Sequence, residues 1–125
     1  MLCPLYGQKA AETFQTLFTE HLTIGAELVN AAKNQNRKAA DDARRRWYKN
    51  ADCIAAFLCS LNSCWSEEKW KHMMYRHLEM TEKQVVLRLQ GDYPADIEMF
   101  DRIEKEALKM VDYMFCGIVR QKSIN

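Results

Sequence analysis

Glycine and proline are scarce in this chain, with four and two among 125 residues, and runs of β-branched side chains are few. That leaves little material for tight turns or strands, and it argues against sandwiches, barrels and doubly wound sheets. No apolar run reaches the length of a membrane span. The start, Met1-Leu2-Cys3-Pro4-Leu5, has neither a basic n-region nor a long apolar stretch, so no signal peptide is expected. Charge of one sign is not in excess either. Lys and Arg number 18 against 17 Asp and Glu, a formal charge of +1, so neither nucleic acid nor an anionic membrane is an expected partner.

Chemical signatures are also sparse. The five cysteines, Cys3, Cys53, Cys59, Cys64 and Cys116, are odd in number and form no C-x-x-C pair. This pattern points to reduced thiols in a cytoplasmic setting rather than a disulfide framework. Cys53, Cys59 and Cys116 fall within helical pattern and are expected to act as small hydrophobes. No Gly-x-Ser-x-Gly elbow appears, no cysteine stands beside a histidine, and no glycine-rich loop suits a phosphate. The seven methionines, with Trp65, Trp70, Tyr75 and Tyr113, read as packing or surface residues. The run Arg44-Arg45-Arg46, with Arg37, Lys38 and Lys49, is broken by Asp41 and Asp42 and spread around its helix. A solvated face is therefore expected there.

What the chain does have is apolar residues recurring at alternating spacings of three and four, the mark of amphipathic helices. The pattern predicts an all-α, up-down-up-down four-helix bundle in a single domain, with helices over about 8–33, 38–61, 66–90 and 94–120. The first stripe is Phe14, Phe18, His21, Gly25, Leu28 and Ala32, with Leu17 and Leu22 beside it. The second is Ala40, Ala43, Trp47, Asn50, Ile54, Phe57 and Leu61. The third carries Trp70, Met74, His77, Leu78, Thr81, Val85 and Leu89, and the fourth Ile97, Phe100, Glu104, Ala107, Val111, Met114 and Ile118. Asn34-Gln35-Asn36 forms a polar loop. Ser66 is placed to cap the third helix, with Glu67 and Glu68 in its first turn, and Gly91 to end it before Asp92-Tyr93-Pro94 restarts the chain. Short loops make successive helices antiparallel.

Each stripe is interrupted once, at His21, Asn50, His77 and Glu104. A buried polar group without a partner costs about 1–3 kcal/mol, so these residues need one another or a ligand. Their distances from the loops set their levels. His21 lies 12 residues before Lys33 and Asn50 12 after Lys38; Asn50 is 11 before Leu61 and His77 11 after Ser66. Glu104 is offset by about one turn, roughly 6 Å at about 1.5 Å per residue. His21, His77 and Glu104 would then make a two-histidine, one-carboxylate set suited to iron, manganese or zinc. Asn50 would support it through its amide, while Thr81 and Asp101 would orient the ligands.

Such a centre would serve redox or oxygen chemistry or metal sensing. Three other readings stand beside it. The four polar residues can satisfy one another and bind nothing. The outward residues Ala51, Ala55, Ala56, Leu58 and Cys59 of the second helix offer apolar surface that a homodimer would cover, giving a non-catalytic interaction or regulatory bundle. Finally, Gly25, Ala43 and Ala107 thin the core around the polar layer and leave room for a small-molecule ligand in the bundle middle.

The segments Leu17-Phe18-Thr19-Glu20-His21-Leu22, Arg46-Trp47-Tyr48-Lys49-Asn50-Ala51-Asp52-Cys53-Ile54-Ala55-Ala56-Phe57-Leu58, Met74-Tyr75-Arg76-His77-Leu78 and Ala107-Leu108-Lys109-Met110-Val111-Asp112 together resemble a group of small helical-bundle proteins of Firmicutes-type bacteria. The resemblance spans about residues 14–121, and Trp-Tyr-x-Asn-Ala-Asp is its most specific part. Members often carry the names acetylglutamate kinase or glycosyltransferase. Both chemistries call for α/β nucleotide-binding layers that this composition cannot form. The resemblance implies a helical fold and a bacterial cytosolic setting, with no established reaction. It also implies that some relatives carry histidine where this chain has Glu104.

Overall fold

The computed structural model describes residues 6–124, so Cys3 and the Met1–Leu5 start lie outside the described residues. The fold is all-α, with four helices and no strand among those residues: α1 (Gln8–Lys33), α2 (Arg37–Leu61), α3 (Glu67–Leu89) and α4 (Tyr93–Ile124). These are the elements of a four-helix bundle. Between Ser63 and Cys64 the chain divides into two compact units, each an antiparallel hairpin of two helices.

In the first hairpin the turn is built by three polar residues. Gln35 takes a left-handed φ of 58°, and the Asn36 amide oxygen accepts from Ala39 N–H at 3.1 Å, capping α2. The seam beyond it is formed by Leu28 and Ala31 of α1 against Ala40, Ala43, Trp47 and Ile54 of α2, all buried. Gly25 lies under the Trp47 indole, where a Cβ would meet ring atoms at 3.4–3.6 Å. The charge run is a solvated face as expected. Arg44 pairs with Asp41 at 2.7 Å, Arg45 with Asp42 at 2.8 Å, and Arg46 with both Asp42 and Glu27 of α1. Exposed pairs of this kind contribute about 0–1 kcal/mol each.

The second hairpin starts at Ser66, whose hydroxyl accepts from Lys69 N–H at 3.2 Å, with Glu67 and Glu68 in the first turn. At the far end Gly91 adopts φ +79°, open only to glycine without strain. Asp92 N–H then closes back on the Leu87 carbonyl at 2.9 Å. The α3 stripe faces inward much as expected, with Trp70 and Leu78 buried, although Leu89 is exposed.

The packed face of α4 differs from the expected one. Asp96 and Gly117 are buried, with Met99, Ile103, Ala107, Met110 and Met114 half-buried along the same side. Ile97, Phe100 and Val111, expected in the core, are 64%, 55% and 60% exposed. The helix carries two apolar stripes, and periodicity alone does not say which one meets α3. The methionine-rich stripe meets it because Gly117 admits a ring: the Trp65 indole, 4% exposed, lies directly on this glycine.

Two further expectations change with these faces. On α2, Ala51, Ala55 and Leu58, expected on a homodimer surface, are 0–2% exposed and belong to one wide apolar band, while Ala56 is exposed and Cys59 half-buried. Cys53 and Cys116, expected as small hydrophobes, are exposed.

Candidate functional site

The polar layer of the first hairpin forms as the loop counting requires. His21 Nδ1 lies 2.9 Å from Asn50 Oδ1, and Asn50 Nδ2 donates to the Leu17 carbonyl at 3.0 Å. Equal distance from the Asn34–Asn36 turn brings the two residues level. The amide's orientation is fixed, since only its nitrogen can donate to a carbonyl. Oδ1 therefore accepts from His21, which must carry its proton on Nδ1 and leave the Nε2 lone pair bare.

Trp47 completes the arrangement. Its Nε1–H donates to the His21 carbonyl at 3.1 Å, and its ring stacks on the imidazole with centroids 5.3 Å apart. Phe18 also stacks on the imidazole, with centroids 6.4 Å apart. Burial against these rings holds the His21 imidazole below its usual pKa of 6.5, more strongly than the Asn50 hydrogen bond raises it. At neutral pH the ring is uncharged, and Asn50, 6% exposed, is satisfied on both amide atoms. In this hairpin the polar interruption is a closed hydrogen-bonded unit linking α1 to α2.

The remaining expected site residues belong to the second hairpin. His77 is half-buried on α3. Thr81, expected to orient its ring, donates instead to the His77 backbone carbonyl at 2.7 Å, a local i to i−4 bond that adds nothing to the imidazole. Glu104 is exposed, and so is Asp101. The reason is the rotation of α4: Glu104 sits within the solvent-facing stripe between Phe100 and Leu108, not on the face that meets α3. Among the described residues no group of three or more His, Cys, Asp or Glu side chains is gathered in a way that would hold a metal ion.

The solvent-facing stripe is the largest feature the sequence reading missed. Tyr93, Ile97, Phe100, Leu108, Val111, Phe115 and Val119 recur every three or four residues and are 46–65% exposed. The signal is a second period-3.6 pattern, of which only Ile97, Phe100 and Val111 enter the expected stripe, and there as core. On α1, Phe18 and Leu22 are likewise exposed at 47% and 59%.

Two buried polar residues were also missed. Asp96, 4% exposed, receives Arg88 Nε at 3.1 Å across the α3–α4 turn, with its carboxylate in the first turn of α4. Asn62, 1% exposed, donates to the Tyr6 hydroxyl at 3.2 Å. An acid after a helix start and an arginine before the preceding turn would have been a usable signal for the first pair.

Among the described residues no helix is long and apolar enough to cross a membrane. Compared with known protein families, with curated proteins and with solved structures, the chain matches none.

Proposed function

We propose that this chain is a non-catalytic interaction bundle that works as a homodimer through the exposed apolar stripe of α4. The observation that carries this reading is the stripe itself, seven large apolar side chains each 46–65% exposed along one helix. At about 100 Å² apiece, a fraction of the 150–250 Å² that an aromatic side chain can bury, they present on the order of 700 Å². A standard interface buries about 800 Å² per partner, and contiguous apolar patches above a few hundred Å² mark interaction sites.

Isologous pairing about a two-fold axis would set the stripe of each copy against that of the other. Light scattering at micromolar concentration should give twice the 14.7 kDa chain mass, and Val111→Asp should return the protein to one. A wild-type monomer across that range removes the proposal.

A further inference from the structure

The second hairpin segregates its charge. Residues 64–125 contain ten Lys and Arg against eleven Asp and Glu, a net charge of −1. Yet one side of the α3–α4 seam is strongly cationic. A groove of about 720 Å³ there is lined by Lys69, Arg76, Lys109 and Arg120, with Glu106 and Asp112 as its acids. It runs on, through the shared residues Arg76, Glu106 and Lys109, into a second groove of about 490 Å³ that adds Lys83, Arg102 and Lys105 against Glu79. Seven of the ten cations therefore line one trough with three of the eleven acids, leaving the rest of the hairpin acidic.

The trough has an apolar floor. Met73, Met80, Met99, Tyr113 and Cys116 line it, and six of the chain's seven methionines lie in this hairpin. Flexible, polarizable methionines suit surfaces that adapt to apolar side chains of a partner. From Met99 to Arg120 the trough extends along α4 for about 30 Å, at about 1.5 Å per residue. Arg102, Lys109 and Arg120 lie roughly 150° around α4 from the stripe that includes Glu104, at about 100° per residue, so this surface is separate from the proposed dimer face.

The most buried acid of the trough is already neutralised. Glu106, with its side chain 13% exposed, receives Arg76 at 3.1 Å and Lys109 at 3.3 Å. Lys105 and Arg120 make no ion pair among the described residues and stand ready for an incoming anion.

From this combination we infer that the trough docks an acidic amphipathic helix of a partner protein, laid along the α3–α4 seam. Apolar side chains on one face of that helix meet the methionine floor, and flanking carboxylates meet the cationic rim. A nucleic acid fits less well, because a phosphate backbone makes no use of the methionines and would face Glu79 and Asp112.

Fluorescence anisotropy of the full chain with three labelled probes tests this. One probe is a synthetic 20-residue amphipathic peptide with leucines on one face and glutamates flanking them. The second is the same peptide with lysine for glutamate, and the third a single-stranded 20-mer oligonucleotide. The acidic peptide should bind in the micromolar range, at least tenfold more tightly than the basic peptide or the oligonucleotide, and more weakly as salt rises. The double variant Lys105→Glu, Arg120→Glu should lose at least tenfold in affinity. Circular dichroism serves as the check that it keeps its helix content; if it does not, Arg120→Gln alone is read the same way, with a smaller loss. Equal binding of the two peptides, tighter binding of the oligonucleotide, or undiminished affinity in the folded charge variants overturns the assignment.

Discussion

Replacing Gly117 with alanine inserts a methyl group into space that the Trp65 indole already fills. The new Cβ would overlap Nε1 and Cδ1 of the ring and stand 2.8 Å from Cε2. Trp65 is 4% exposed and packs edge-on against Trp70 at 5.8 Å, which in turn meets Tyr113 at 5.4 Å, so the ring cannot yield without breaking the cluster. Expelling a buried tryptophan forfeits much of the ~3–5 kcal/mol that a Trp→Ala truncation costs. Alanine returns about 1 kcal/mol through its higher helix propensity. The net expectation is a loss of about 2–4 kcal/mol.

Gly25 is the internal control, since it too lies beneath an indole, but its Cβ would meet Trp47 at an ordinary 3.4–3.6 Å. Gly25→Ala should therefore be neutral or stabilise by up to about 1 kcal/mol. Urea titrations followed by tryptophan fluorescence and far-UV circular dichroism report both variants. The reasoning is refuted if Gly117→Ala unfolds at the same urea concentration as the wild-type protein, or if Gly25→Ala is the more damaging change.

Three further outcomes follow from local geometry. Asn50→Leu leaves the His21 Nδ1–H and the Leu17 carbonyl without their partner and should cost about 2–3 kcal/mol, read as a lower urea midpoint. Ser66→Ala removes the cap on Lys69 N–H and should cost about 1 kcal/mol, while Ser66→Asp should be tolerated. For pH, the folded His21 has a lower pKa than the unfolded chain, so below about 6.5 the unfolded state binds the extra proton. The His21 contribution is thus complete above that pH. It falls as pH drops from 6.5 toward the folded value, and His21→Gln should flatten that part of the stability profile. A wild-type profile identical to that of His21→Gln would show that burial does not perturb the ring.

Helix placement was legible in the sequence because the signals were local. Ser66, Gly91 and the Asn34–Asn36 turn each act through a few neighbouring backbone groups. The pairing of His21 with Asn50 was legible for a similar reason, since residues equally far from a short antiparallel turn must meet. Rotation of α4 was not legible. Its two stripes are both apolar, and the choice between them depends on Trp65 finding the one residue without a Cβ, Gly117. Glu104 moved from the interior to the surface with that choice. The Asp96–Arg88 pair had a local signal, the acid after the helix start and the arginine before the turn, but charged residues next to a turn usually read as solvated. Asn50 was read correctly as buried, yet its partners proved to be a ring and a backbone carbonyl within its own hairpin.

Sedimentation velocity over a micromolar concentration series, with the wild-type chain beside Phe100→Asp and Val111→Asp, tests the central claim most directly. The apolar stripe of α4 predicts a wild-type dimer and two helical monomeric variants. A wild-type chain that sediments as a monomer throughout, or variants that dimerise as well as it does, would contradict the account.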